Sequence, residues 1–267
     1  MSFEMNHSTI PAGLHEVESE LVRTDVGDMW FPMLDKVMRD HIRSAGAWEP
    51  DIGRVLKDAM PEGHGRVFLD IGANVGYFSR FIAQQFPEAT VHAFEPHPLT
   101  YKVLRMNTWQ VGSRICTWPV ALSDARGTVA LATAANNLGD TKGIRPKDRL
   151  VASVVAPAIS LDELLGDLHV DLVKIDVQGA ELAVLHGMRQ IIAKSPTIRI
   201  VMEFSPGLLQ ADGIDPGAAL AGLRAMGFEL DLIRPDALYA ATDGEILDFC
   251  HSAGPTGQAN LLLVPRN

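Results

Sequence analysis

An α/β fold built on a doubly wound, mostly parallel sheet is what this sequence predicts, and three observations carry it. Strand-like and helix-like patterns alternate from residue 67 onward. The apolar run Val67, Phe68, Leu69 and Ile71 passes into a glycine turn, Gly72-Ala-Asn-Val-Gly76, that opens a helix. A second strand, Thr90 to Phe94, ends on Glu95, 25 residues after Asp70. Alternation of this kind calls for parallel pairing with right-handed crossovers, and strands buried on both faces read as continuous apolar runs.

The elements follow in order. Residues 1–64 read as a helical cap, because Met33, Leu34, Val37, Met38 and Ile42 recur at helical spacing before the breaker Pro50. Pro61, Gly63 and Gly65 mark the entry to a core spanning 65–267. Within it the pattern predicts strand 67–71, helix 77–86, strand 90–94, helix 98–110 and strand 115–121. Strands at 128–133 and 151–155 flank a polar loop at 134–149, and Ser160-Leu-Asp-Glu163 is a capping box. Strand 170–176, helix 180–193, strand 197–204, helix 216–226 and strand 228–233 come next, and a last apolar strand covers 260–264. The interval 234–259 is too long for a tight hairpin and reads as a candidate lid.

The turn carries the first chemistry. Gly72 and Gly76 let the backbone turn without a Cβ clash, while Ala73 and Asn74 are small enough for a ligand to approach. Free N–H groups at the start of the following helix favour electronegative partners. Glu95 would stand beside the turn, where a carboxylate accepts hydrogen bonds from both hydroxyls of a ribose. A dinucleotide fingerprint needs G-x-G-x-x-G facing a pyrophosphate, whereas here Asp70 puts negative charge just ahead of a G-x-x-x-G turn. That charge opposes a pyrophosphate and suits S-adenosylmethionine, with its sulfonium and ammonium.

Composition narrows the class. At 267 residues, 47% hydrophobic and 21% charged, the chain is an ordinary globular protein with room for a large core. A net charge of −10 argues against nucleic acid as the partner, since duplex binding depends on basic surfaces. Cys116 and Cys250 stand far apart and outside any CxxC spacing, which supports neither a disulfide framework nor a structural zinc site. With no run near the ~18 apolar residues of a membrane span and no leader-like N-terminus, a cytoplasmic location is expected.

Candidate catalytic residues lie at strand ends, where open parallel sheets bind ligands. Asp176 ends the strand from Val170 and Glu203 ends the strand from Ile198, so the two carboxylates would face the transferred group if the strands are neighbours. Together they could hold a substrate hydroxyl, remove its proton or bind a divalent ion, and whether a metal takes part is left open. Lys174 shares a sheet face with Asp176, with an ion pair as the plainer role and a catalytic amine as the sharper one. His97 follows the ribose-binding strand and is the side chain best suited to act as a base near neutral pH. Trp48 either covers the cofactor or packs on the core, His186 packs within a helix, and Glu181 offsets a helix dipole. Lys142, Arg145, Lys147 and Arg149 form a basic stretch that steers an anionic acceptor or is simply solvated.

With these residues in place, the chain resembles the FkbM family of S-adenosylmethionine-dependent methyltransferases, from Trp48 to the C-terminus. The matching segments are Trp-Glu-Pro at 48–50, Asp-Ile-Gly-Ala-Asn-Val-Gly-Tyr-Phe-Ser at 70–79, Phe-Glu-Pro at 94–96, Val-Asp-Leu-Val-Lys-Ile-Asp-Val-Gln-Gly-Ala-Glu at 170–181 and Met-Glu at 202–203. The Lys-Ile-Asp segment is the specific one. The resemblance implies a Rossmann-like methyltransferase sheet, with Asp70, Gly72, Asn74 and Gly76 around the methionine part of the cofactor and Glu95 on its ribose. It further implies Ala121 and Asp124 near adenine and Asp176 facing the cofactor at the transfer site. Gln178 departs from the family, which usually has glutamate there.

The expected activity is methylation of a hydroxyl on a carbohydrate or a secondary-metabolite scaffold, with a small-molecule or saccharide acceptor and a homodimer left open. The alternatives are N-methylation of a small amine and cofactor binding without catalysis.

Overall fold

The strand that leads into the glycine turn lies deep in a sheet, with parallel neighbours on both sides. A computed structural model describes residues 17–134, 137–143, 154–254 and 256–266. The chain starts with a hairpin, β1 (Ser19–Thr24) and β2 (Gly27–Pro32), then helices α1 (Lys36–Ala45) and α2 (Pro50–Ala59). The core opens with β3 (Val67–Ile71), α3 (Tyr77–Gln85), β4 (Thr90–Phe94), α4 (Pro98–Thr108) and β5 (Ile115–Trp118). An insertion follows, with β6 (Ala121–Leu122), β7 (Gly127–Ala134), β8 (Asn137–Gly143), β9 (Val154–Ile159) and α5 (Leu161–Leu165). The second half runs through β10 (Leu172–Ile175), α6 (Glu181–His186), α7 (Arg189–Lys194), β11 (Arg199–Phe204), α8 (Pro206–Ala211) and α9 (Pro216–Ala225). It ends with β12 (Phe228–Ile233), β13 (Leu238–Ala240), α10 (Asp243–Ser252) and β14 (Ala259–Pro265).

The main sheet has eight strands in the order β13-β12-β14-β11-β10-β3-β4-β5. From β11 to β5 all pairings are parallel, and β14 is inserted antiparallel between β11 and β12. The chain steps outward from β3 to β5, then returns to β10 on the other side of β3. Strand order therefore reverses between β3 and β10, and a ligand crevice belongs at their carboxyl ends. Register places Asp70 opposite Lys174 and Ile71 opposite Ile175. Side chains alternate between two cores: Phe68 and Leu172 join the one built with the hairpin and α1 to α4, while Leu69, Ile71, Val173 and Ile175 join the one beneath α6, α7 and α9.

Several elements differ from the sequence reading, for physical reasons. Among the described residues the expected helical cap begins as a β-hairpin, because Ser19 to Thr24 and Asp28 to Pro32 meet across a turn at Gly27 (φ 91°). Helical spacing governs only α1, which buries Met38 and Ile42, while Met33, Leu34 and Val37 stay exposed. Asn107 and Arg80 anchor the hairpin. The Asn107 amide donates to the Trp30 and Val75 carbonyls (2.9 and 2.8 Å) and accepts from Trp30 N–H (2.7 Å), and the Arg80 guanidinium donates to the Val26 and Asp28 carbonyls.

The expected polar loop at 134–149 contains a strand, β8, which pairs with β7 in a four-stranded sheet ordered β6-β9-β7-β8. Arg145, Lys147 and Arg149 lie outside the described residues. Of the strand expected at 151–155, residues 151–153 lie outside the described residues and the remainder falls in β9, while helix 180–193 is two helices broken at Gly187, where a Cβ would lie 1.9 Å from the Ser123 carbonyl. The lid expected at 234–259 is built as edge strand β13, hydrogen-bonded to β12, and helix α10, started by a Thr242 and Glu245 capping box. Among the described residues of that segment, only Gln258 reaches the crevice described next.

Candidate active site

A cavity of about 670 Å³ opens at the reversal point, between the ends of β3, β4, β10 and β11. Its floor is the glycine turn. Gly72 (φ 81°) lies so close to the end of β10 that a Cβ would meet the Asp176 carbonyl oxygen at 1.9 Å, and the N–H groups of Gly72 and Ala73 donate to the Phe94 carbonyl. Asn74 adopts a left-handed backbone (φ 49°). Its N–H donates to Glu95 Oε2 at 3.0 Å, its side-chain NH2 rests on Met38 Sδ, and its buried Oδ1 has no hydrogen-bond partner among the described residues. Gly76 (φ 88°) also packs tightly, since a Cβ there would lie 2.6 Å from Leu104 Cδ1 where α3 meets α4, and it is not among the cavity-lining residues.

Glu95 is buried, and its other oxygen accepts the His97 N–H at 2.8 Å. Burial pushes its carboxyl up to about 7 against those two N–H groups, with Asp70 and Asp176 adding to the shift. Asp70 lies beneath the cavity wall, where it accepts from Ser79 Oγ (2.6 Å) and its Oδ1 is unpartnered among the described residues. Burial raises its carboxyl too, with Lys174 opposing.

The opposite wall is a chain of polar side chains. Lys174 Nζ donates to Asp176 Oδ2 at 2.9 Å and lies 4.9 Å from the Phe78 ring centre. Burial works against the ammonium, but Asp176, Asp70 and Glu49 overcome it and hold the charge above its ordinary value. The ion pair with Asp176 is thus built. Gln178, in a left-handed backbone (φ 53°), donates from Nε2 to Asp176 Oδ1 (2.9 Å) and Glu203 Oε1 (3.3 Å). Gln258 Nε2 donates to the second Glu203 oxygen at 2.5 Å. Burial first, then Asp176 and Glu181, push the Glu203 carboxyl up to about 8, against the pull of Lys174. Glu181 does more than meet a helix dipole: it accepts N–H bonds from Val177 and Gly179 and pins the loop that presents Asp176 and Gln178.

Three contributors escape the sequence reading. Glu49, also left-handed (φ 42°), precedes α2 without capping it and lines the cavity, where burial raises its carboxyl and Lys174 opposes. Its signal was the Trp-Glu-Pro segment, with proline set to start a helix after it. Gln258 gave no local signal. Strand β8 supplies Asn137, Leu138 and Gly139 to the cavity wall and brings Gly139 against the Asn74 amide.

The remaining candidates fall as follows. Ala121 and Asp124 line the cavity, Asp124 exposed at its rim. Trp48 lines it as well, edge-on to His41 at 5.3 Å and packed on the core. His97 is buried at the start of α4, with Nδ1 3.3 Å from Thr100 Oγ1, and its ring is not among the cavity-lining groups. Burial also lowers its basicity. The turn between β4 and α4 aims its backbone, not its imidazole, at Glu95. Among the described residues no group of three His, Cys, Asp or Glu is placed to hold a metal ion.

This donor set fits S-adenosylmethionine. The cavity has the size of a nucleoside with an amino-acid tail. A buried carboxylate stands at the end of β4 for a ribose, the unpartnered Asn74 oxygen is an acceptor awaiting a donor, and a Cβ at Gly72 would close the floor. The acidic far wall suits a cation.

The family comparison agrees. The family described as Methyltransferase FkbM domain matches residues 70–230. The chain is 33% identical over 218 residues to the AMB antimetabolite synthetase AmbE of Pseudomonas aeruginosa, covering 66% of this chain and 10% of that protein. It is 29% identical over 212 residues to the 31-O-demethyl-FK506 methyltransferase FkbM of Streptomyces tacrolimicus, covering 67% and 78% of the two chains. The hexuronic acid methyltransferase AglP of Haloferax volcanii matches at 29% identity over 143 residues, 52% of this chain and 56% of its own. Among solved structures, a SAM-dependent O-methyltransferase from Thermotoga maritima superposes with a TM-score of 0.45 at 14% identity, covering 93% and 78% of the chains. With the family match spanning most of the core, the chain belongs to the FkbM family of S-adenosylmethionine-dependent methyltransferases.

Proposed function

We propose that the protein methylates a hydroxyl group of a carbohydrate or secondary-metabolite scaffold. The observation that carries this reading is the Lys174, Asp176, Gln178, Glu203 and Gln258 chain of hydrogen bonds along one cavity wall. It presents carboxylate oxygens, fixed by neutral carboxamides, to whatever occupies the space beyond the turn. Relatives support the acceptor class by their names, which include a 31-O-demethyl-FK506 methyltransferase, a hexuronic acid methyltransferase and a 2-O-methyltransferase.

Bound S-adenosylmethionine supplies a methyl group already activated on a sulfonium sulfur. Glu95 holds the ribose, and the turn from Gly72 to Asn74 cradles the methionine part, with Asp70 as a buried negative charge beneath it. Asp176 and Glu203 accept a hydrogen bond from the acceptor hydroxyl and align its oxygen for in-line attack. The cofactor would supply the methyl group and leave as the neutral thioether, and Glu203 in its ionised form would take up the proton of the hydroxyl; because burial raises this carboxyl to about 8, that form gains as pH rises. Trp48 and β8 shield the site from water. The protein works in the cytoplasm in this reading, in keeping with two free cysteines and, among the described residues, no helix long and apolar enough to cross a membrane.

The test is a panel of glycosides, hydroxylated polyketides and small amines incubated with cofactor, with products read by mass spectrometry. Methyl ethers on the hydroxyl compounds carry the reading. Methylated amines alone would replace it with N-methylation, which the acidic wall also favours, and cofactor binding without any product would leave a binding protein.

A further inference from the structure

Trp48 and Glu49 come from the chain ahead of the core, yet both line the cavity. Lys174 and Asp176 act on the Glu49 carboxyl, and Glu49 in turn acts on Glu203, which places this pair by the ends of β10 and β11 rather than by Glu95 and the ribose. They roof the half of the cavity that the acceptor enters.

Two features show how firmly this roof is held. Glu49 is left-handed (φ 42°, ψ 64°) directly before Pro50, which pushes its predecessor toward extended backbone, and its side chain caps nothing. Strain of this kind clusters where ligands are clamped. Beneath the loop, the buried Tyr77 hydroxyl donates to Asp25 Oδ1 at 2.7 Å and faces the Trp48 backbone N–H, while the Asp25 N–H donates to the Gly46 carbonyl at 2.9 Å. The hairpin turn and the start of α3 thus tie down the Gly46–Glu49 loop from below. The Trp48 ring stands edge-on to His41, and its N–H leans toward the Glu49 carboxyl. The glycine turn has separate anchors in the Phe94 carbonyl and the Glu95 carboxyl, so the Asp25 and Tyr77 bonds act on the roof rather than on the turn.

From this we infer that Trp48 is the acceptor platform, its ring receiving the C–H face of a saturated, hydroxylated ring of the sugar type whose hydroxyls reach Glu49 on one side and Asp176 and Gln178 on the other. An indole set among planar carboxyl and carboxamide groups matches such a ring, which is apolar on its face and carries donors and acceptors around its edge. Tyr77 is a positioning residue that acts through Trp48. This deepens the proposed function and rests on it: the loop ahead of the core selects the acceptor, while the glycine turn and Glu95 hold the donor.

The experiment measures methyl transfer by the full chain from S-adenosylmethionine to a set of methyl hexopyranosides, to hydroxylated polyketides and to small amines. Products are read by mass spectrometry, and cofactor affinity is read separately by calorimetry. Wild-type protein should methylate a glycoside. With that glycoside, Trp48→Leu should raise KM about tenfold with a smaller change in kcat, while the cofactor Kd stays within about twofold. Trp48→Phe keeps a flat aromatic face and should recover most of the loss. Tyr77→Phe keeps the packed ring but not its hydroxyl, and should raise KM about fivefold with the cofactor Kd again within about twofold. It serves if Trp48→Leu gives no cooperative melt.

An unchanged KM in the folded variants, a cofactor Kd that weakens in step with KM, or a Trp48→Phe no better than Trp48→Leu overturns the inference and leaves the proposed function standing. So does methylation of polyketide hydroxyls with no glycoside product. Methylated amines alone, or no product from any compound, overturn both.

Discussion

Gly72 and the carbonyl of Asp176 approach so closely that an ideal Cβ on Gly72 would lie 1.9 Å from that oxygen. The contact joins the ends of β3 and β10, the two strands between which the sheet reverses its order, and it sets the depth of the cavity floor. The same residue holds φ at 81°, a region L side chains avoid. Gly72→Ala should therefore force the two strand ends apart. We expect a loss of about 3 kcal/mol or more in urea unfolding, and loss of measurable cofactor binding by calorimetry.

Removing the cation from the acidic wall should be equally severe. Lys174→Met leaves Asp70, Asp176 and Glu49 without their shared partner in a buried setting. Breaking such a pair from one side destabilises by about 3–5 kcal/mol. The loss should be largest at pH 8 and should shrink toward pH 5.5, where the carboxylates take up protons instead. Denaturant midpoints at the two pH values check this.

Stability of the ligand-free protein should fall as pH rises from about 4.5 to 8. The carboxyls of Glu95 and Glu203 are raised from the ordinary 4.5 to about 7 and about 8, so across that window the folded chain keeps protons that the unfolded chain has released. More protons bound in the native state means that unfolding becomes easier with rising pH. By pH 8 the loss amounts to roughly 3 kcal/mol for Glu95 and roughly 4 kcal/mol for Glu203. Thermal midpoints measured in steps of pH should decline, and Glu95→Gln and Glu203→Gln should each flatten the curve.

Glu95→Gln also tests the ribose contact. It leaves the fold-facing oxygen in place to accept one N–H bond but removes the charge that strengthens bonds from ligand hydroxyls. Affinity for S-adenosylmethionine should drop about tenfold to a hundredfold, read by calorimetry at pH 8, where the wild-type group is ionised.

Asn107→Ala should release the N-terminal hairpin. Three buried hydrogen bonds, two to Trp30 and one to Val75, disappear together. The expected loss is about 2–4 kcal/mol, with faster amide exchange in residues 19–32 than in β3 or β10.

What could be read from residues alone was local. An apolar run ending at Ile71, a glycine where the backbone must turn left-handed, and an acid at the end of the next strand are decided within a few residues of chain. So is the helix start at Ser160, whose hydroxyl accepts the N–H of Glu163 three positions on. Alternating strands and helices fixed the handedness of the crossovers, and with it the carboxyl edge as the place for a ligand. Helical spacing misled at Met33 and Leu34, because the same residues suit the end of a hairpin once β1 has a partner.

The far wall was decided only by tertiary structure. Glu49, Lys174, Glu203 and Gln258 are separated by tens of residues, and no local pattern says that β10 inserts between β3 and β11 or that β14 returns antiparallel beside β11. Those pairings follow from burying two cores at once, a property of the whole chain. They bring the carboxyls of Glu49, Asp176 and Glu203 together with Lys174 and Gln258 on one cavity wall. The sequence by itself determined that a cofactor turn exists and where it lies. Packing decided which charges it meets there, because Coulomb energy depends on distance and solvent exclusion rather than on order along the chain.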